Sequence, residues 1–229
     1  MFSMEGYGHL LWEGALLTLK VGLFSMVIAL LLGLVMSMCK LSKMWILDFP
    51  AGVYTTVVRG IPELVLILLV YYGGPTLVQD AAGAFGYDIY VDLNPFFAGS
   101  MTIGFIYGAF ATEVFRGAFM AVPKGQIEAA RACGMGPFLS FRRIQMPQMW
   151  RFAIPGLGNV WMVLIKATAL ISVIQLPELM RNADVAARAI KKPFTCYFMA
   201  SLLYLMITIL SLVFQQWAEK RANRGVRRE

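Results

Sequence analysis

The chain has 229 residues, of which 59% are hydrophobic and only 14% are charged, and its mean hydropathy is +0.68. A soluble domain carries roughly 25% charged residues, so this composition excludes an ordinary soluble protein and indicates an integral membrane protein. The net charge of +7 does not indicate nucleic-acid binding, because the basic residues lie beside apolar runs, where they orient a membrane protein.

The cysteine and histidine content argues against metal and redox chemistry. Cys39, Cys133 and Cys196 are far apart and form no C-x-x-C pair, and His9 is the only histidine. We therefore expect no disulfide framework, no metal site, no catalytic residues and no cofactor bound by this chain. The first 18 residues contain no Lys or Arg, so the first hydrophobic run is predicted to be a permanent span rather than a cleaved signal peptide.

Five hydrophobic runs follow along the chain, and a spanning helix needs about 20 mostly apolar residues. The predicted spans cover residues 21–39, 51–77, 96–115, 152–176 and 194–218. The second is interrupted by "RGIPE" at residues 59–63, where the helix is predicted to break if this stretch lies deep in the membrane. The predicted fold is an all-α integral membrane protein with about five transmembrane helices.

The distribution of Lys and Arg predicts the orientation of these spans. Five spans place twelve basic residues on one side and four on the other, and the loop 74–95 on the poorer side has none and carries three aspartates. Basic residues favour the cytoplasm, so the N-terminus is predicted outside and the C-terminus inside. We expect an external segment at 1–15, a transmembrane domain at 16–217 and a basic cytoplasmic tail at 218–229.

One polar stretch, "QIEAARACGMGPFLSFRRIQMPQ" at residues 126–148, separates the third span from the fourth. Its composition predicts a helix that stops at Gly134, a turn, and a second short helix that Pro147 ends or redirects. Two interpretations follow from composition. The segment either docks in a groove of a partner protein or lies as an amphipathic loop on the lipid headgroups.

The spacing within this stretch matches a known pattern. Glu-Ala-Ala is followed after three residues by Gly, and after nine more by Ile-x-Met-Pro. This resembles the EAA signature of the permease subunits of type I ABC importers, with Met146 in place of the usual Leu. The matching positions are Glu128, Ala129, Ala130, Gly134, Ile144 and Pro147.

Three longer blocks extend the resemblance over most of the chain. They are "RGIPELVLILLVYYG" at 59–73, "TEVFRGAFMAVPKGQIEAA" at 112–130 and "MPQMWRFAIPGLGNVWMVLIKATALISVI" at 146–174. These blocks are similar to the polar amino-acid family of permeases, and most of all to the histidine/lysine/arginine/ornithine and arginine/ornithine importers.

The resemblance implies a function and a set of partners. The chain would be the permease subunit of an ATP-driven importer in the bacterial inner membrane, carrying amino acids, basic ones in particular. Its cytoplasmic loop, about 121–150, would contain the coupling helix that contacts a dimer of separate ABC ATPases, and ATP would bind to that partner. A second permease, identical or similar, and a periplasmic substrate-binding protein would complete the assembly. The chain has no G-x-x-x-x-G-K-[ST] phosphate loop, so it is not expected to be an enzyme itself.

Polar residues within the spans are the candidates for the translocation path, because charges at membrane depth are costly and often functional. They are Glu63, Glu113, Asn159 and Lys166. The alternative is that these groups pair with one another or contact neighbouring helices.

Two alternatives to the importer are a self-sufficient channel or secondary carrier and a membrane enzyme. A self-sufficient channel or secondary carrier would need an oligomeric pore or an inverted repeat, and the chain has an odd number of predicted spans and no internal repeat. A membrane enzyme would need clustered catalytic groups, and no predicted span contains a histidine or a pair of aspartates.

Overall fold

The computed structural model describes residues 6–223, and within that range the chain forms eight helices and no strand. The three basic residues of the tail beyond residue 223 lie outside the described residues. The helices are α1 Gly8–Leu41, α2 Trp45–Gly60, α3 Glu63–Ala84, α4 Pro95–Met120, α5 Lys124–Ala132, α6 Pro137–Ile174, α7 Leu179–Ile190 and α8 Pro193–Ala222.

The predicted number of spans is confirmed, although their limits differ. Four helices, α1, α3, α6 and α8, are long and apolar enough to cross a membrane, and α4 together with α5 forms a fifth candidate that bends by 60°. The first span is longer than predicted, because α1 begins at Gly8. Its first turns are apolar on one face, where Leu11 and Ala15 are 3% exposed and pack in one cluster with Leu179 of α7.

The predicted interruption of the second span is confirmed. The backbone is extended at Ile61 and Pro62 and separates α2 from α3. Proline disfavours the helical conformation of the residue before it, and this explains why α2 ends at Gly60. At 16 residues, α2 is shorter than a typical spanning helix.

The centre of the domain is the packing of α1 on α4, the most extensive helix pair of the fold. Small residues allow it: a Cβ on Gly104 would lie 2.7 Å from Ile28, and one on Gly33 would lie 2.7 Å from Ala111. Ser25 also donates to the carbonyl of Ser100 at 2.9 Å. The Gly104–Gly108 pair that the sequence presents therefore serves close packing within the chain, as small residues do between membrane helices.

Pro147 was predicted to end or redirect a short helix, and the prediction that it ends the helix is wrong. Residues 137–174 form one 38-residue helix, α6, so the helix that contains the fourth span begins before the predicted start at residue 152. A π turn at Phe141–Gln145 directly precedes Pro147. Such a turn changes the hydrogen-bond register, so the helix accommodates the missing N–H of proline there without ending.

The stretch after the fourth predicted span contains a packed helix, α7, at Leu179–Ile190. One face of α7 is buried, with Leu179, Ala183 and Ala186 fully enclosed. The side-chain amide of Asn182 donates to the carbonyl of Leu10 at 2.8 Å. The sequence gives little indication of this helix, because its apolar face consists mainly of alanine, which is only weakly hydrophobic.

Candidate functional site

The stretch that the EAA resemblance identifies, residues 122–148, is called the coupling segment. It follows α4 and consists of α5 and the first turns of α6. Its first helix, α5, begins directly after Pro123, whose extended backbone turns the chain by 60° from α4. Glu128 and Ala129 are exposed, whereas Ala130 is only 5% exposed. Two of the three EAA positions thus face outward, and the third anchors α5 against the protein.

The end of α5 is a Schellman motif centred on Gly134. Gly134 has φ +79°, its N–H donates to the carbonyl of Arg131 at 2.9 Å, and the N–H of Met135 donates to that of Ala130 at 3.0 Å. A side chain at this φ would be strained, so glycine is required for the turn that separates α5 from α6. The predicted helix stop at this residue is confirmed.

The apolar side chains of the segment divide into two groups. Phe138 is 76% exposed, whereas the ring of Phe141 stacks on that of Phe119 at 5.9 Å. Phe141 therefore secures the segment to the end of α4, whereas Phe138 and the neighbouring Leu139 remain exposed.

One further contact links α5 to the start of α6. Gln148 donates to the side-chain oxygen of Gln126, which links the first turn of α5 to α6. Ile144 is half-buried and Pro147 is exposed on the same long helix. Because α6 continues without a break into the membrane domain, the coupling segment is connected rigidly to a spanning helix.

Glu113, one of the four candidate path residues, lies in an ion-pair cluster. Its carboxylate is 2.6 Å from Nζ of Lys40 and 2.9 Å from Nε of Arg116. The ammonium of Lys40 also donates to Thr55 at 3.0 Å. The cluster joins α1, α2 and α4 near the coupling segment, and it matches the interpretation that Glu113 pairs with other charges.

Glu63 contacts the central helix α4. It begins α3, and its carboxylate accepts a 2.9 Å hydrogen bond from the hydroxyl of Tyr107. One turn of α4 further on, the guanidinium of Arg59 lies 5.1 Å from the ring centroid of Phe110, a cation–π distance. The helix break thus places an acid and a base close together along the chain, each against an aromatic ring.

Asn159 and Lys166 lie on the exposed side of α6. They are seven residues apart, which is about two turns or roughly 10 Å along one helix face. Among residues 6–223 neither side chain has a hydrogen-bond or ion-pair partner. This face of α6 therefore presents two polar groups whose hydrogen-bonding capacity is unused within the chain.

Glu178 is a further functional candidate that the sequence does not predict, and its side chain is fully buried. Its carboxylate accepts from the backbone N–H groups of Met180 at 2.9 Å and Arg181 at 2.8 Å. It also accepts from the hydroxyls of Tyr204 at 3.2 Å and Thr18 at 3.3 Å. Burial raises the pKa of Glu178, and these four hydrogen bonds oppose that rise.

Glu178 therefore joins α1, α7 and α8 at a single carboxylate. An acid between Pro177 and an amphipathic stretch is a helix N-cap pattern, and that pattern was the available indication in the sequence. Elsewhere, no group of three or more His, Cys, Asp or Glu within the described range is arranged to hold a metal ion.

Comparison with known families and proteins gives consistent matches. Residues 29–224 match the family described as "Binding-protein-dependent transport system inner membrane component". The chain is 48% identical to the nopaline transport system permease protein NocQ of Agrobacterium fabrum, covering 97% of this chain and 94% of that protein. It is 43% identical to the histidine/lysine/arginine/ornithine permease HisQ of Salmonella typhimurium, covering 98% of each.

Solved structures show the same fold. A crystal structure of an amino acid ABC transporter with histidines superposes with a TM-score of 0.82 at 30% identity, covering 96% of this chain and 98% of that one. An inward-facing structure of the MetNI methionine ABC transporter superposes with a TM-score of 0.67 at 17% identity, covering 93% and 94%. The second similarity concerns the fold alone.

Proposed function

Because the chain belongs to the family of binding-protein-dependent transport system inner membrane components, we propose that it is the permease subunit of an ATP-driven amino-acid importer. Its relatives are named as permeases for nopaline and for histidine, lysine, arginine and ornithine. We propose that this chain carries the same class, amino acids and derivatives with a cationic side chain. A separate ATPase would hydrolyse the ATP.

The observation that carries this proposal is the coupling segment. α5 exposes Glu128 and Ala129, and it contacts the rest of the chain through the buried Ala130 and the hydrogen bond between Gln126 and Gln148. An exposed short helix next to a large exposed aromatic residue, Phe138, suits insertion into a groove on a partner protein. Since α6 continues into the membrane domain, movement of the ATPase would be transmitted to the spans as rigid-body motion.

For the translocation path we propose Asn159, Lys166 and Glu63. The ammonium of Lys166 suits an α-carboxylate, and the carboxylate of Glu63 suits a cationic side chain. Glu113 would act differently: its ion pairs hold α1, α2 and α4 together close to the coupling segment.

The proposed assembly has a defined orientation. The loop 121–150 and the tail 218–229 would face the cytoplasm, where the loop contacts the ATPase dimer. A second permease would pack beside the first in the bacterial inner membrane, and a periplasmic binding protein would dock on the opposite face. The transmembrane domain would extend over 8–217 rather than 16–217, because Leu11 and Ala15 pack against α7.

The decisive experiment is ATP hydrolysis by the reconstituted assembly with its ATPase and binding protein. Glu128→Arg and Gly134→Pro are expected to abolish substrate-stimulated hydrolysis and to release the ATPase from the complex. The control is Asp48→Arg, a charge reversal at an exposed residue outside the coupling segment. Unchanged stimulation in both coupling variants would contradict the proposed docking role.

The competing function, a self-sufficient channel or carrier, is tested with the same material. Liposomes that contain this chain without an ATPase are loaded with buffer and exposed to labelled arginine. We expect no uptake. Uptake without ATP would replace the importer proposal.

A further inference from the structure

An apolar groove of about 500 Å³ lies between α1, α6 and α8. It is distinct from the coupling segment and from the polar face of α6. Its walls include Leu23, Leu30, Trp150, Trp161, Leu210 and Phe214. Trp161 of α6 donates its indole N–H to the hydroxyl of Ser211 on α8 at 2.9 Å.

The groove has the length of one half of a bilayer. Its lining residues run from 19 to 30 on α1, from 150 to 161 on α6 and from 207 to 218 on α8. Eleven residues of helix rise about 16 Å, and half of a hydrocarbon core of roughly 30 Å is about 15 Å. All three walls therefore extend over the depth of a single lipid leaflet.

Ser211 and Gln215, two polar side chains that line the groove, already form hydrogen bonds within the chain. Ser211 accepts from Trp161, and the amide of Gln215 donates to Glu219 at 2.9 Å. The remaining lining is almost entirely hydrocarbon and aromatic. A polar occupant would find few hydrogen-bond partners here, whereas an aliphatic chain has no hydrogen bonds to lose when it enters the groove.

The two ends of the groove differ in the number of basic residues, since one end has Lys20 beside the lining residue Leu19 and the other has three, next to Glu219. α6 and α8 run antiparallel, because Trp161 pairs with Ser211 while Gln215 lies beside Pro155. Trp150 and Ala218 therefore lie at the same end, the one nearest the coupling segment. This end carries two arginines that lie against aromatic rings: Arg151 is 5.1 Å from Phe152, and Arg221 is 5.9 Å from Trp217.

We propose that this groove binds one phospholipid with an anionic headgroup, taken from the leaflet on the side of the coupling segment. Its acyl chain would fill the groove and its phosphate would lie between Arg151 and Arg221. Charge complementarity distinguishes this occupant from a second copy of the chain, which would bring its own basic residues to the same end. The proposal rests on neither the ATPase contact nor the transported substrate.

Native mass spectrometry of the purified assembly tests the proposal with two probes, phosphatidylglycerol and phosphatidylethanolamine. Leu210→Trp fills the groove and is expected to remove retained phosphatidylglycerol. Val213→Trp is the matched control, because both residues are 63% exposed and only Leu210 lines the groove. Equal retention in the two variants would refute the proposal, as would separation of the permease pair by Leu210→Trp alone, which would identify a helix-packing surface.

The basic end is tested separately. Arg151→Gln combined with Arg221→Gln is expected to weaken phosphatidylglycerol binding about 10- to 30-fold, as two basic residues near an anionic surface contribute. Phosphatidylethanolamine binding should remain unchanged. If the double variant retains phosphatidylglycerol as well as the wild type does, or if the wild type does not discriminate between the two lipids, no headgroup site exists.

Discussion

Two short polar helices lie outside the predicted spans, and they are built in opposite ways. α5 has 9 residues and α7 has 12. α7 buries five residues, among them Leu179, Ala183 and Ala186, whereas α5 buries only Ala130. The basic residues of α7 also pair internally, since Arg188 lies 3.0 Å from Asp184.

This difference distinguishes α7, which packs into the fold, from α5, which is largely exposed. The apolar face of α7 packs against α1 and α8, so α7 contributes to the stability of the domain. α5 has no comparable contact, and Glu128 forms no ion pair among residues 6–223. An isolated nine-residue helix is marginal in water, so the exposed surface of α5 favours the proposed contact with a partner protein.

The largest expected difference comes from the same substitution in the two helices. Glu178→Ala leaves two hydroxyls and two backbone N–H groups without their buried acceptor, and we expect a loss of about 2–4 kcal/mol in the free energy of unfolding. Glu128→Ala removes an exposed side chain and should change it by less than about 0.5 kcal/mol. Thermal unfolding of the two purified variants measures both. Equal losses would mean that α5 is as integral to the fold as α7.

A second comparison uses two glycines. A Cβ on Gly14 would lie 2.8 Å from the backbone of Leu179, whereas one on Gly125 would meet nothing within 4 Å. Gly14→Ala should therefore cost about 1–3 kcal/mol by overpacking. Gly125→Ala should be neutral or stabilise by up to about 1 kcal/mol, because alanine favours helix. The denaturation midpoint distinguishes the two, and a stable Gly14→Ala protein would show that α7 can move away from α1.

The exposed aromatic residue next to α5 gives the third test. Phe138→Ser should leave the melting temperature unchanged and weaken binding of the ATPase about ten-fold, as loss of an interface anchor does. Phe141→Ser should instead lower the melting temperature, because its ring packs on Phe119. Binding is measured by titrating ATPase onto the immobilised permease. Unaltered affinity in Phe138→Ser would remove this residue from the proposed interface.

The smallest effect concerns pH and the buried carboxyl of α7. Because the pKa of Glu178 is raised in the folded state, the native protein binds its proton more readily than the unfolded chain does. The stability of the wild type relative to Glu178→Gln should therefore increase as the pH falls through the folded pKa, and level off below the unfolded pKa of about 4.3. Unfolding at several pH values measures this difference. A relative stability that fell on acidification would show that the hydrogen bonds outweigh burial.

The sequence predicts α5 better than α7, for a physical reason. The helix stop at Gly134 follows from local backbone geometry, since only glycine adopts that φ without strain. The sequence does not predict that the helix continues through Pro147, because no residue pattern identifies the five-residue π turn that precedes it. The buried carboxylate of Glu178 accepts a hydrogen bond from Thr18, which is 160 positions away in the chain. Contacts at that distance are determined by tertiary packing, which local patterns do not encode.

The continuity of α6 has a mechanical consequence. Its 38 residues extend about 57 Å, well beyond a hydrocarbon core of roughly 30 Å, so one element connects both faces of the membrane. A tilt of about 5° around its midpoint would move its two ends by roughly 2.5 Å in opposite directions. Under the proposed function, closing on one side of the membrane and opening on the other would be the two ends of one rigid-body tilt of α6.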